Sequence, residues 1–137
     1  MRDENGEIRR ETGENKSARP TRQNILKERS YAFALRVVKL SLHLTNERKE
    51  YVLSKQILRS GTSIGANIEE AHQGESRSDF IHKLSIANKE AFETHYWLRL
   101  LRDSVILETA IADSLISDCD ELQRMLVAAI KTAKARA

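Results

Sequence analysis

The residues in this sequence that most suggest chemistry are two glutamates and a histidine in the run Glu69-Glu70-Ala71-His72. Glu69 and His72 have the Glu-x-x-His interval with which helical bundles hold pairs of metal ions, but such sites need a second copy of that interval and two further glutamates. The nearest approach to a second copy, Glu93-Thr94-His95, has the wrong interval. A di-metal enzyme is therefore disfavoured, and we expect His95 to be a hydrogen-bonded residue of the core or of an interface.

Other catalytic arrangements are also poorly supported. Gly61 and Gly65 are not followed by the Lys-Ser/Thr pair of a phosphate-binding loop. The hydroxyl residues beside them have no local base that would make one a nucleophile. Cys119 is the single cysteine, which excludes an internal disulfide and a zinc site built from clustered cysteines. The sequence predicts no catalytic residue, no metal and no cofactor, and hence a protein that is not an enzyme.

The two glycines lie within a pattern typical of a helix. Apolar and small residues recur at steps of three and four through this region, at Leu53, Ile57, Ser60, Ile64, Ile68 and Ala71. Each glycine costs a helix interior about 0.5–1 kcal/mol relative to alanine. We therefore predict that Gly61 and Gly65 form a small-residue face at which another helix approaches closely.

The rest of the chain is divided by the same periodicity into a tail and four helices. Residues 1–23 carry many charges and almost no large apolar side chain, which predicts a disordered N-terminal tail. Helices are predicted at about 24–44, 47–73, 78–103 and 108–134, with Ser76 as the first residue of a capping box before the third. Four amphipathic helices with short loops predict an all-α fold, an antiparallel up-and-down four-helix bundle over residues 24–137.

The apolar residues of the first and third helices are distributed differently. The first helix has one stripe at Tyr31, Ala34, Leu35, Val38 and Leu42 and a second stripe beside it at Phe33, Val37, Leu40 and Leu44. The third helix is apolar on nearly every side around its second half. Because a helix that faces water on one side should not have this pattern, we predict a subunit interface at Phe92, Tyr96, Trp97 and Leu100.

Basic residues occur in pairs at one-turn spacing on three helices. The pairs are Arg36 with Lys39, Lys55 with Arg59, and Arg99 with Arg102. Such pairs are ordinarily a solvated surface, but in a symmetric ring each would be repeated in every subunit and would contact successive phosphates. The net charge of +3 permits nucleic-acid binding without requiring it. The six residues are the predicted nucleic-acid contacts.

Three segments resemble a known family. They are Arg59 to Ala71, which contains Ser-Ile-Gly-Ala-Asn-Ile-Glu-Glu, then Ser78 to Ala87, and Glu93 to Leu98. The chain from about Asn24 to Lys134 resembles the 23S rRNA intervening-sequence proteins, also called the S23 ribosomal protein family. The resemblance implies a four-helix bundle that assembles into a ring, commonly a homopentamer, with no established enzymatic activity. The family's ribosomal label reflects the location of some of its genes and does not imply a ribosome component. A related branch, the accessory variability determinant of diversity-generating retroelements, is implied to be a basic platform for a reverse transcriptase and its RNA.

Together these observations predict a non-enzymatic, oligomeric scaffold that binds RNA or another nucleic acid. The resemblance adds a reverse transcriptase as one partner to which the scaffold could be accessory. The alternative is a protein-protein adaptor whose partner is not known. No stretch of the sequence has the run of apolar residues that a membrane span or a signal peptide needs, so a cytoplasmic location is expected.

Overall fold

The computed structural model describes residues 21–136, and these form four α-helices. The helices are α1 (Arg22–Asn46), α2 (Leu53–Ala71), α3 (Arg77–Asp103) and α4 (Thr109–Ala135). The predicted tail, residues 1–23, lies outside the described residues except for its last three positions. The predicted four-helix architecture is confirmed.

The helices pack as a square with alternating directions. Each helix contacts the next along the chain, and α1 also contacts α4. In residues 21–136, the diagonal pairs α1 with α3 and α2 with α4 have no close backbone approach. Because consecutive helices are antiparallel, α1 and α3 run in the same direction on opposite corners of the bundle.

The core is built from the apolar stripe of each helix. Its largest fully buried side chains include Phe33, Leu44, Ile57, Ile64, Ile68, Leu84, Leu98, Leu122 and Leu126. On α1 the inward stripe is the one that contains Phe33 and Val37. The other predicted stripe of α1, which contains Tyr31 and Leu35, therefore lies outside the core.

Capping side chains set the starts of the first three helices. Thr21 Oγ1 accepts a hydrogen bond from Asn24 N, and Ser76 Oγ accepts one from Asp79 N, each at 3.0 Å. Ser76 thus has the capping role that the sequence predicted. The carboxylate of Glu50 accepts hydrogen bonds from the backbone amides of Leu53 at 3.0 Å and Ser54 at 2.8 Å.

The predicted start of the second helix at residue 47 is wrong. Helix α1 continues through Asn46, and a loop that includes Lys49 at φ 55° precedes Leu53. A residue with positive φ interrupts the helical backbone, and Glu50 then satisfies the free amides of the new helix. The second helix therefore begins six residues later than predicted, and it ends at Ala71 instead of residue 73.

The α2 glycines lie against α1, although they differ in how tightly they do so. A methyl group placed on Gly61 would lie 2.8 Å from both Cγ atoms of Val37. The same methyl on Gly65 would lie 3.4 Å from the backbone oxygen of Ser30, which is an ordinary contact. Helix α1 thus lies within contact distance of both glycines, and only Gly61 is too close to Val37 to accept a side chain.

Candidate nucleic-acid and subunit interfaces

The Glu-x-x-His run at the end of α2 is used for structural contacts. Glu69 pairs with Lys27 at 3.9 Å and Glu70 with Lys83 at 2.7 Å. His72 is half-buried, and its Nδ1 hydrogen bonds the carbonyl oxygen of Ile68 at 2.8 Å. Within residues 21–136, no three histidine, cysteine or carboxylate side chains are grouped so that they could hold a metal ion.

His95 lies between α3 and α4 in a network of polar contacts. Its Nε2 is 3.0 Å from Asp120 Oδ1, and its Nδ1 accepts a hydrogen bond from Arg99 Nε at 3.0 Å. Because Nδ1 accepts a hydrogen bond, the ring proton is on Nε2, and Nε2 donates a hydrogen bond to Asp120 Oδ1. The prediction of a hydrogen-bonded histidine is confirmed.

Cys119 is buried in α4 and its Sγ donates a hydrogen bond to the carbonyl oxygen of Ala91 at 3.2 Å. Burial, with smaller contributions from the charges of Asp120 and Asp118, raises the pKa of the thiol to about 12. A thiolate is the reactive form of cysteine, so this side chain is chemically inert in the folded protein. Its role is to connect α4 to α3.

The antiparallel topology brings all six predicted basic residues to one half of the bundle. This half, which we call the basic end, contains residues 36–59 and 96–115, and it includes the α1–α2 and α3–α4 loops. The two loops are adjacent, since Arg48 Nη2 donates a hydrogen bond to the carbonyl oxygen of Val105 at 3.3 Å. The two segments carry eight lysines and arginines against five carboxylates. The basic end therefore has an excess of positive charge.

Three of the six basic residues are held in ion pairs between helices. Arg36 pairs with Asp118 at 2.5 Å and Arg102 with Asp113 at 2.9 Å, so each connects α4 to a neighbouring helix. Arg59 pairs with Glu90 at 3.2 Å and also with Glu93. These guanidinium groups remain partly exposed, but their charge is largely neutralised within the subunit.

Those ion pairs perturb the ionisation of their members. A hydrogen bond to Glu93 is the largest cause of the raised pKa of Arg59, and the negative charges of Glu93 and Glu90 raise that pKa further. The hydrogen bond from Arg59, followed by that from Trp97, lowers the pKa of Glu93. Arg59, Glu93 and Trp97 thus form one charged network across the α2–α3 contact.

The other three predicted basic residues have no carboxylate within ion-pair distance in the described part of the chain. Lys39 and Lys55 are exposed on α1 and α2. Arg99 is exposed on α3, where its guanidinium carbon lies 5.7 Å from the ring centroid of Tyr96. Arg48 and Lys49, in the loop before α2, were missed by the sequence prediction because they are adjacent in sequence and do not form a pair at one-turn spacing. These five residues are the side chains at the basic end that could contact phosphate.

The predicted subunit interface on α3 is divided between exposed and half-buried residues. Phe92 and Tyr96 are 61% and 49% exposed. Trp97 is half-buried and its Nε1 donates a hydrogen bond to Glu93 at 2.9 Å, and Leu100 is also half-buried. Phe92, Tyr96 and Leu100 lie on the outward side of the helix, and we call them the α3 face.

A second exposed apolar surface lies on α1. Tyr31, Leu35, Val38 and Leu42 are 39–64% exposed and follow the 4-3-4 spacing of a single helical stripe. We call these four residues the α1 face. The sequence contained the stripe but not its orientation, and the presence of two apolar stripes on one helix was the signal that one of them faces outward.

Comparison with known proteins assigns the chain to a family and leaves its activity open. The sequence profile described as 23S rRNA-intervening sequence protein matches residues 22–128. Among solved structures, the chain is similar to a protein with unknown function from the S23 ribosomal protein family of Bacteroides thetaiotaomicron. The two are 51% identical, the alignment covers 81% of this chain and 99% of that one, and the TM-score is 0.80. None of the curated proteins compared with the chain matches it. In the described residues, no helix has the length and apolarity to cross a membrane.

Proposed function

Because the chain belongs to the 23S rRNA-intervening sequence protein family, we propose that it is a non-enzymatic RNA-binding scaffold. It assembles into a ring of identical subunits, five by the family resemblance, and acts in the cytoplasm. Each subunit presents its basic end to the phosphate backbone of RNA. A reverse transcriptase with its RNA is one nucleoprotein that such a ring could serve.

The observation that carries this proposal is the basic end. The fold collects cations from three helices and one loop at that end of the bundle, and Lys39, Lys55 and Arg99 are not neutralised by a carboxylate in the described residues. Lysine and arginine side chains bind phosphate oxygens and displace the counterions that surround a nucleic acid. A ring repeats the set in every subunit, so that weak contacts add up along a polyanion.

The contacts of this surface are independent of RNA sequence. Base recognition in single strands depends on aromatic side chains that stack on bases between the basic residues. At the basic end, Tyr96 is covered in part by Arg99, and Trp97 is held by Glu93 in the α2–α3 contact. Tyr51, in the loop between α1 and α2, is 55% exposed and is the one freely exposed aromatic side chain of the basic end in the described residues. A single aromatic ring can stack on a base without identifying it, so the main chemistry of this surface is phosphate binding, which fixes position on RNA without reading the bases.

The alternative is a protein adaptor, and the exposed apolar faces are the observation that favours it. The α1 and α3 faces together expose six large side chains in two stripes. The α3 face also contains Leu100, which is half-buried. Apolar patches of this kind on a soluble protein are typical of protein contacts. If the protein is monomeric when purified, these faces would bind a different protein and the adaptor would replace the scaffold.

The proposal is tested by measuring binding of a fluorescent structured RNA by anisotropy at several salt concentrations. The variant K39Q/K55Q/R99Q removes three charges per subunit from the basic end. The matched control K131Q/K134Q/R136Q removes three charges from the C-terminal end of α4, at the opposite end of the bundle. We expect the basic-end variant to lose at least about tenfold in affinity and to have a shallower salt slope, since each lost phosphate contact removes about 0.7–0.9 from it.

Two results would contradict the proposal. Equal losses in the two triple variants would mean that net charge alone drives binding and that the basic end is not the site. Absence of binding at physiological ionic strength would remove the RNA-binding function itself. Recovery of one protein partner after nuclease treatment, together with that absence, would support the adaptor.

A further inference from the structure

The α1 and α3 faces belong to helices on opposite corners of the bundle. One subunit cannot cover either face with the other, because α1 and α3 do not contact each other in residues 21–136. A symmetric pair formed through two α1 faces would leave both α3 faces in water. A contact between two different surfaces would cover both with a single type of interface.

From this arrangement, we infer that the α1 face of one copy of the chain packs against the α3 face of the next copy. The inference rests on the proposed ring and names the two surfaces that form it. It replaces the predicted interface, which lay on α3 alone, with a contact between two unlike helices. Trp97 is left out of that contact because its indole is anchored to Glu93 beside α2.

The two faces lie at the same height along the bundle. Val37 of α1 lies against Gly61 of α2, and Ser60 of α2 accepts a hydrogen bond from Thr94 Oγ1 of α3 at 2.9 Å. Helix α2 therefore places residue 37 of α1 and residue 94 of α3 at one level. The α1 face is centred near residue 37 and the α3 face near residue 96, a difference of about 3 Å at 1.5 Å per residue.

This match in height is what a cyclic assembly requires. If the symmetry axis runs along the bundle, neighbouring subunits are at equal heights and point the same way, and α1 and α3 are indeed parallel. The level set by α2 places Leu35 opposite Phe92 and Val38 opposite Tyr96 of the neighbour, within about one residue. Side chains of one stripe can then lie between those of the other, as they do where parallel helices pack.

The α1 face is directed partly toward α2. Tyr31 and Ala34 line a shallow cleft of 280 Å³ together with Gly65 and Ala66 of α2. The two faces of a subunit are consequently not directed straight away from each other. A repeated contact between unlike surfaces set at an angle turns at each step, and this favours a closed ring over an open filament.

The charges around the two faces are compatible with the contact. Lys89, next to the α3 face, is exposed and has no carboxylate within ion-pair distance among the described residues. In the alignment that places residue 37 of α1 level with residue 94 of α3, Lys89 lies opposite Tyr31 of the neighbouring subunit. Its ammonium group can make a cation–π contact with that aromatic ring. Glu28 is exposed one turn before Tyr31 and adds a negative charge near the same place.

Site-directed crosslinking of the full chain tests this inference, since the single native cysteine, Cys119, is buried. The variants are L35C on the α1 face, F92C on the α3 face, and V127C as a control at an apolar α4 residue of similar exposure, 52%. Each is treated with a short bis-maleimide under native conditions, alone and in the double variants L35C/F92C and L35C/V127C. Products are resolved on a denaturing gel.

The contact between unlike faces predicts a specific pattern. L35C alone and F92C alone give no crosslinked dimer, whereas L35C/F92C gives a ladder of products up to the full ring. Crosslinking in that double variant should be at least about a hundredfold faster than in L35C/V127C. Cysteines held across an interface react at an effective concentration in the millimolar range, compared with micromolar protein in solution.

Three results would overturn the inference. Rapid dimer formation by L35C alone would mean that two α1 faces pair with each other. Failure of L35C/F92C to crosslink while light scattering shows an intact oligomer would mean that other surfaces form the ring. A wild-type protein that is monomeric by light scattering would refute the proposed ring and with it the inference. Failure of the ring is thereby distinguished from failure of this particular contact.

Discussion

The substitutions G61A and G65A should have opposite effects on stability, although both add one methyl group to a buried glycine of the same helix. At residue 61 the new methyl would be 2.8 Å from both Cγ atoms of Val37, whose side chain is completely buried. At residue 65 it would be 3.4 Å from the oxygens of Ser30. Val37 is branched at Cβ and has little freedom to turn away, so the strain at residue 61 must be relieved by moving α1.

The expected magnitudes follow from two opposing terms. Replacement of glycine by alanine in a helix interior stabilises by about 0.8–1 kcal/mol through backbone propensity. Overpacking of a well-packed core costs about 1–3 kcal/mol. For G61A the overpacking term is larger, which gives a net loss of about 0.5–2 kcal/mol. For G65A the propensity term dominates, and stability rises by up to about 1 kcal/mol.

Urea unfolding followed by circular dichroism measures both variants. Subunit concentration must be held constant because association adds to apparent stability. The double variant V37A/G61A isolates the clash, since removal of the two valine methyls makes room for the new one. We expect a coupling free energy of about 1–3 kcal/mol between the two substitutions. A G61A protein as stable as the wild type, or a coupling near zero, would refute the explanation of the α1–α2 contact.

Three further predictions concern other parts of the fold. Val105 is 77% exposed and has φ 63° at the position after the α3 cap. Its amide donates a hydrogen bond to the carbonyl oxygen of Arg102, and the amide of Ile106 donates one to the carbonyl oxygen of Leu101. Because glycine adopts this backbone conformation without strain, V105G should stabilise the protein by about 0.5–1 kcal/mol in urea unfolding. An unchanged or lower stability would contradict that assignment of backbone strain. Cys119, with its pKa raised to about 12, should react with a thiol reagent at pH 8 only as fast as the protein opens, and rapid stoichiometric labelling of the native protein would contradict its burial. Because the pKa of Glu93 is lowered in the folded protein, its ion pair contributes its full stabilisation at pH values above the ordinary pKa of 4.5. That stabilisation is lost as the pH falls through the pKa of the folded state. The free energy of unfolding of the wild type should therefore exceed that of E93Q by up to about 1 kcal/mol at pH 7 and equal it in strong acid. A difference between the two that persists or grows in acid would contradict that ion pair.

The sequence was sufficient for the number and order of the helices, because each has a continuous apolar stripe and the third has a serine cap. It was not sufficient for the second helix start. That boundary depends on the positive φ of Lys49 and on the reach of the Glu50 carboxylate to Leu53, and neither leaves a mark in apolar periodicity. The loop residues Arg48 and Lys49 were missed as possible phosphate contacts because the prediction considered only basic pairs at one-turn helical spacing.

The orientation of α1 was also beyond the sequence. Its two stripes have similar spacing and similar apolar content, and the choice between them depends on which one meets the glycines of α2. Val37 and Ser30 make that contact, and Leu35 and Tyr31 are left outside. The neutralisation of Arg59 by Glu90 and Glu93 depends likewise on the relative rotation of two helices, which a single sequence does not specify.

The most direct test of the scaffold is the mass of the purified full-length protein by light scattering, before and after nuclease treatment, with the ratio of absorbance at 260 and 280 nm. The proposal predicts a several-fold multiple of the single-chain mass in both samples, and an absorbance ratio that is high at first and falls when the nucleic acid is digested. A single-chain mass with no nucleic acid in either sample would contradict both the ring and its RNA.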